Sequence, residues 1–367
     1  MNADGLTGHF ENPTAQELFG LALLLGVAVL CLDLLRRILT GELAAARLLG
    51  LIWNGLVDSL YIALAAVGLS MTYSILRFAN FAHGDLLTTG AFGGWTVAYL
   101  LGGIGAADLG SRLLLDADGG AQAGDLGMDV LASPLAIILG LIAAAVATIA
   151  VSLVIDRLVY KRLRDADGIT LLIASVGIAL ALRYLIAFVY TQEARGIVAA
   201  APMWEPAWLP IGAINLHEAT LVGSGLALIV GVHLMLQYTK LGTSMRAMSD
   251  NRDLAKVTGI STERVITATW AIGGGLAGVA GYLIVLDQSQ ITINLGWFLL
   301  LLVFSAVILG GIGSIYGALA GSLIIGTTIN ISLIWIPADL GNVAAFTLMI
   351  LVLVLKPDGL FGGVATT

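Results

Sequence analysis

Residues 79–85, ANFAHGD, place Asn80, His83 and Asp85 within six positions between two strongly apolar stretches. An imidazole beside a carboxylate can move a proton. With an amide close by, the trio can also offer hydrogen bonds to a polar solute. In hydrocarbon such groups are costly unless they face protein or water. Two readings follow from the spacing. In one, Gly84 ends a helix and Asp85 caps the next, giving a polar turn at a membrane surface. In the other, the helix breaks at membrane depth, enclosed by protein or lining a wet cavity.

Few other residues suggest chemistry. Asp58 and Arg183 are the charges deepest within apolar stretches, and Asp33 lies near the end of the first. A direct Asp58–Arg183 ion pair is one way to satisfy both. His217 and His233 stand apart and read as interface histidines. No cluster of metal-ligand spacing appears, and no Ser–His–Asp set can be read from the linear order. Cys31 is the single cysteine, which excludes an intrachain disulfide and thiolate clusters.

The elements that must position these residues are helices in a bilayer. Hydrophobic residues make up 59% of 367 and charged residues 11%, against roughly 25% charged in a soluble domain. Stretches long enough to span occur at 18–35, 48–76, 86–104, 133–156, 169–190, 219–239, 265–286, 297–312, 315–334 and 339–355. The short alternating strands of a barrel are missing. The N-terminus has no basic n-region, so the first apolar run is expected to stay as a helix rather than be cleaved. The net charge of −7 says little about partners.

Loops 157–168 and 240–264 hold nine of the 17 basic residues. The positive-inside rule puts both in the cytoplasm, with Lys356 and the C-terminal tail. Loops 105–132 and 191–218, acidic or carrying Trp204 and Trp208, then lie outside. Arg36, Arg37 and Arg47 conflict with this scheme by asking for a cytoplasmic loop at 36–47. The stretch 48–76 must then be tilted, broken or followed by a re-entrant passage.

Within 240–264, Thr243 or Ser244 can cap a helix, and Met245 to Val257 contains neither Gly nor Pro. Gly259 suits the left-handed position that ends such a helix, and Ser261 can cap the next, with Glu263 in its first turn. Met245, Met248, Leu254 and Ala255 offer apolar packing. Arg246, Asp250, Arg252, Asp253 and Lys256 form a polar rim. Gly274 and Gly278, and then Gly313, Gly317 and Gly321, recur at the four-residue spacing that lets helices pack closely, more often inside one subunit than between two. There is no G-x-x-x-x-G-K-[ST] phosphate loop.

NFAHGD (80–85) resembles the NFAHGE signature of LivH-type permeases, membrane subunits of ABC importers for branched-chain amino acids. SLYIALAAVGLSMTYSILRFANFAHGD (59–85), KRLRDADGITLLIASVGIAL (161–180), MRAMSDNRDLAKVTGISTERVI (245–266), VILGGIGSIYGALAGSLIIG (307–326) and KPDGLFG (356–362) are similar to family blocks in the same order. Asp85 stands where Glu is usual, and the extension 1–47 and the acidic loop 105–132 depart from the pattern.

The resemblance implies an all-α polytopic membrane protein with about 8–10 transmembrane helices of the type II ABC importer permease architecture, in residues 48–362, followed by a tail at 363–367. It implies a short cytoplasmic coupling helix within 240–264, with Arg246, Ala247, Asp250, Asn251, Ala255 and Gly259 contacting an ATPase. Asn80, His83, Gly84 and Asp85 become candidates for a translocation path or gate. Implied partners are a second related permease, two ABC ATPases that use ATP and Mg, an extracytoplasmic solute-binding protein and the lipid of a prokaryotic inner membrane. No nucleic acid and no directly bound cofactor are implied. A self-sufficient secondary transporter or channel, and an intramembrane enzyme using His83 and Asp85, are the alternatives.

Overall fold

The computed structural model describes residues 15–103, 113–115, 127–200, 202–204 and 213–361. Trp208, most of loop 105–132 and the tail 363–367 lie outside them. The described chain is an all-α polytopic membrane protein. Its helices are α1 (Ala15–Leu39), α2 (Ala45–Leu76), α3 (Ala82–Gly102), α4 (Pro134–Leu158), α5 (Gly168–Tyr190), α6 (Leu216–Tyr238), α7 (Lys240–Asp250), α8 (Arg252–Val257), α9 (Thr262–Gln288), α10 (Leu295–Gly310), α11 (Ile315–Ser332) and α12 (Gly341–Leu355). Seven membrane-length apolar helices are found among the described residues: α2, α4, α5, α6, α9, α11 and α12. The only strands among them are four two-residue pieces, paired as Arg195–Gly196 with Gln290–Ile291 and Met203–Trp204 with Ile214–Asn215.

Two helices form the axis of the bundle. The apolar stretches of α2 and α9 are 83% and 89% buried, whereas those of α5, α6 and α12 are 11–17% buried. The sequence of α9 explains its place. Gly273, Gly274, Gly275, Ala277, Gly278, Ala280 and Gly281 leave little side chain on any face, so neighbours can close in from all around. A Cβ on Gly274 would stand 2.5 Å from Ser152 Oγ on α4, and one on Gly278 would stand 2.6 Å from Thr148 Cγ2. Gly90 of α3 meets the backbone of Gly278 from the other side.

Gly317 and Gly321 of α11 likewise face the backbone of Gly310 and Ala306 on α10. Gly313 corrects the expected triplet, because it lies in the α10–α11 turn with φ +86°, near the Tyr73 ring of α2 rather than in the α10–α11 helix seam. The stripe is completed by Gly310 from the other helix. Gly278→Leu is therefore expected to leave no monodisperse peak on size exclusion in mild detergent. Isoleucine or leucine at the open Gly223 should be tolerated, since nothing lies within 4 Å of a Cβ there.

The two basic loops meet at one end of the bundle. Arg164 pairs with Asp156 at 3.0 Å and also with Glu263, which Lys161 approaches at 3.4 Å. Helix α2 crosses the whole bundle unbroken. At its start Trp53 Nε1 donates to Glu218 Oε2 of α6 (2.8 Å), and at its finish Arg77 donates to the Ser249 carbonyl of α7. The N-terminal conflict therefore lies between the two ends of α2. Loop 36–47 sits at the end opposite the basic loops, because a continuous α2 leaves it nowhere else.

Nine basic residues lie in the loops at one end of the bundle and three in loop 36–47 at the other. Arg36 and Arg37 are held locally. Asp33 takes Arg36 and Arg37 at 3.0 and 2.6 Å and accepts from Trp335 Nε1 at 2.8 Å.

Candidate functional site

The helix break falls earlier than the position assigned to Gly84. Helix α2 ends at Leu76, and Arg77 adopts a left-handed conformation (φ 59°) with its N–H on the Tyr73 carbonyl. Residues 77–81 are non-helical, and α3 starts at Ala82. Gly84 and Asp85 thus lie inside the first turn of α3 instead of ending one helix and capping the next. The cap-like group is Asn80, whose Oδ1 accepts from the Ala82 amide at 3.1 Å.

The break runs back into the bundle. His83 Nε2 is 2.9 Å from the Ala65 carbonyl. A carbonyl can only accept, so Nε2 carries the proton. Ala65 lies eleven residues before the end of α2, about 16 Å along a helix axis. The five residues before α3 therefore climb back beside α2, and α3 begins deep in the protein.

Exposed backbone at that depth is tolerable only if other groups serve it. Ser175 Oγ of α5 accepts from the Phe81 amide (3.0 Å), and Tyr160 Oη donates to Asn80 Oδ1 (3.2 Å). Rings close the remainder, with Phe78 against Tyr160, Tyr160 stacked on Trp270 and Phe81 against Phe304, at centroid distances of 5.1, 4.8 and 5.1 Å. Asn80 is 0% exposed, and its Nδ2 finds no acceptor among the described residues. Ser175→Ala would strand the Phe81 amide, a loss of about 1–3 kcal/mol. It is expected to lower the melting temperature in detergent, and unchanged melting would show that this amide needs no side-chain acceptor.

The first turn of α3 also holds the buried charge. Arg183 of α5 donates from Nε and Nη2 to the two oxygens of Asp85, at 3.1 and 3.0 Å. Asp85 is 1% exposed, and the guanidinium lies 4.8 Å from the Trp297 ring centroid. A carboxylate in a first turn is favoured by the helix dipole. Across from it, Gly84 meets α10 so closely that a Cβ would stand 2.6 Å from the Gly296 carbonyl oxygen. The expected Asp58–Arg183 pair is therefore corrected. Arg183 belongs to Asp85, while Asp58 accepts from Tyr61 Oη (2.8 Å) and Asn330 Nδ2 (2.6 Å), tying α2 to α11. The spacing of charges along a sequence does not reveal which helices are neighbours.

Helix α5, which carries Ser175 and Arg183, starts on a firm cap. Asp167 accepts from the Thr170 amide at 3.0 Å, and the Thr170 hydrogen bonds hold its carboxyl below the usual carboxylate range. His217 is fully buried, and His233 Nδ1 lies 3.0 Å from Tyr316 Oη.

The segment after α6 is two helices, in place of the single helix expected from Met245 to Val257. Thr239, rather than Thr243 or Ser244, caps α7 by accepting from the Gly242 amide at 3.1 Å. Asn251 breaks the run, with its backbone extended and its side chain accepting from the Leu254 amide (2.9 Å) to cap α8. Gly259 follows α8 with φ +88°, and Ser261 makes no side-chain cap to α9.

Burial sorts the expected contact set. Met245, Met248 and Ala255 turn into the bundle, Ala247 is half-buried, and Arg246 gives its guanidinium to the Leu236 carbonyl. Ala255 is thereby corrected as an outward contact, while Arg246 is half-buried like Ala247. Asp250, Asn251 and Gly259 remain exposed, beside Leu254 (58%) and Val257 (80%). The sequence pattern groups Leu254 with Met245, Met248 and Ala255 as apolar packing and does not single out Val257, because one turn of α8 could not be oriented without the break at Asn251.

The geometry joins these parts. Arg77, the last residue before the climbing strand, is bonded to Ser249 of α7. Only the five non-helical residues 77–81 separate that bond from the start of α3.

The comparisons with known proteins agree on one family. A family model described as "Branched-chain amino acid transport system / permease component" matches residues 51–355. The high-affinity branched-chain amino acid transport system permease protein LivH of Salmonella typhimurium is 28% identical over 316 residues, covering 84% of this chain and 94% of the relative. LivH of Escherichia coli K12 is 27% identical over the same shares. The corresponding Pseudomonas aeruginosa permease protein, BraD, is 26% identical over 316 residues, 84% of this chain. No solved structure matches the chain significantly. Helix α1 lies outside the matched residues.

Proposed function

The chain belongs to the permease-component family of branched-chain amino acid transport systems, and from that premise we propose that it is the membrane subunit of an ATP-driven importer. It forms, with a second related permease, the path for branched-chain or similar amino acids delivered by an extracytoplasmic binding protein. Two ATPases dock on α7–α8 at the basic end, which faces the cytoplasm of a prokaryotic cell. ATP and Mg act in those subunits. Residues 48–362 are the permease unit, and 1–47 is an extension.

The observation that carries this reading is the construction of α7–α8. Its inner face is buried and bonded to α2 and α6. Its outer face shows Leu254 and Val257 between charges. A helix with one face built in and an apolar, charge-rimmed tip suits docking into a groove on a partner. ATPase closure then pushes a lever attached to the α2–α3 break, and α3 shifts its buried N-terminal turn. Asn80, His83, Gly84 and Asp85 act here as parts of a hinge and gate.

The test is uptake of labelled leucine into proteoliposomes holding this chain with the products of its genomic neighbours. Uptake that needs ATP inside and binding protein outside is expected. Uptake by the chain alone, driven by an ion gradient, would overturn the reading in favour of a secondary transporter.

A further inference from the structure

Behind α7, on its bundle side, lies a small cavity open to solvent. Its walls come from α2, α6, α7, α9 and α11, so it sits where the lever meets the fixed helices. Met71, Ile75, Met245 and Ile315 give it an apolar floor. Arg246 and Asp250, one turn apart on α7, stand on its rim.

Opposite charges four residues apart on a helix ordinarily reach each other. Here Arg246 donates instead to the Leu236 carbonyl, and Asp250 stays exposed. One hydrogen bond leaves most of a five-donor guanidinium free. Both line the same cavity, so a ligand lying over its rim meets one cation and one anion one turn apart on α7. The chemistry complementary to this rim and floor is a zwitterion with an aliphatic side chain. Such pockets bind by burying the apolar part and fixing the polar part with few groups.

We propose that this cavity binds a free aliphatic amino acid from the side of the basic loops, and that the bound molecule slows the transporter by pinning α7 against α2 and α11. The inference rests on the importer reading, since only there does α7 act as a lever and the ligand arise as the transported product. Product accumulating on that side would then restrain further import. Two sites coupled in this way shift one another's equilibria by roughly 5–150-fold.

Two measurements test it. In nanodiscs holding the complete transporter, leucine is expected to lower ATPase activity at least about five-fold. The same molecule without its ammonium (2-hydroxy-4-methylpentanoate) or its carboxylate (3-methylbutylamine) should leave the activity unchanged. Ile315→Trp, which fills the floor, should keep the activity and lose the inhibition. Equal inhibition by all three compounds, or none by leucine, overturns the proposal while leucine uptake by the same complex upholds the importer reading. Equilibrium dialysis of labelled leucine against the purified chain reads the site even if no ATPase associates. Absence of saturable binding there overturns the proposal on its own.

Discussion

Arg183→Leu is expected to destabilise the folded chain by about 3–5 kcal/mol, because it leaves the Asp85 carboxylate charged and alone in the interior. The two side chains are joined by a double hydrogen bond between α3 and α5, and Asp85 is 1% exposed. Asp85→Leu strands the guanidinium instead and should cost less, since Arg183 keeps some solvent contact (14%) and the Trp297 ring. The double variant Asp85→Asn with Arg183→Gln removes both charges and should regain most of the loss, as paired removal of buried ions commonly does. Reversal to Asp85→Arg with Arg183→Asp should regain less, because a cation would then sit in the first turn of α3 against the helix dipole. Thermal unfolding of the purified series in one detergent measures all four. A single variant that melts like the parent would show that the pair contributes nothing to holding α5 on α3.

The second large effect concerns coupling. Arg77 occupies a left-handed position that costs a residue with a Cβ roughly 1–2 kcal/mol, while its side chain bonds the Ser249 carbonyl. Arg77→Gly relieves the backbone and removes the bond in one step. Melting temperature is expected to hold or rise, and ATPase subunits should still associate, since the outer face of α8 is untouched. Leucine uptake per ATP hydrolysed should fall at least about ten-fold, a change of 1.4 kcal/mol in what the lever delivers. Arg77→Lys, keeping a cation at the end of α2, should lie between. A variant that melts lower but transports normally would make Arg77 a structural cap alone.

How much of this was legible in the sequence differs by level. Composition and span length sufficed for a helical membrane bundle, and Gly274, Gly278, Gly317 and Gly321 marked surfaces where backbones meet. Those signals are local: a glycine every four residues exposes one face whatever lies opposite. Gly313 obeyed the same spacing and yet lies in a turn, because spacing does not show where α10 stops. The partner of Arg183 was illegible for a different reason. Asp58 and Asp85 are both carboxylates within apolar stretches, and only the packing of α3 beside α5 decides between them.

A helix break in ANFAHGD is present at Ala79–Phe81, but it begins at Arg77 and does not use Gly84 or Asp85. Gly84 suggests a helix end by its conformational freedom, but its hydrogen atom serves close passage of α10 within a continuous helix. The true break, at Arg77, has a residue that no propensity would place there, held by a bond to a chain segment 172 positions away. The family blocks were legible because they recur in order, and they pointed to 240–264 without showing which side chains turn outward.

The most direct measurement is co-purification. The chain is expressed with its genomic neighbours, tagged, and compared with a Leu254→Asp, Val257→Asp variant. These side chains are 58% and 80% exposed, so the variant should fold and elute like the parent. The account predicts that ATPase subunits elute with the parent chain and are lost from the variant, while the second permease stays bound to both. Equal recovery of ATPases with parent and variant would place the docking surface elsewhere and contradict the role given to α7–α8.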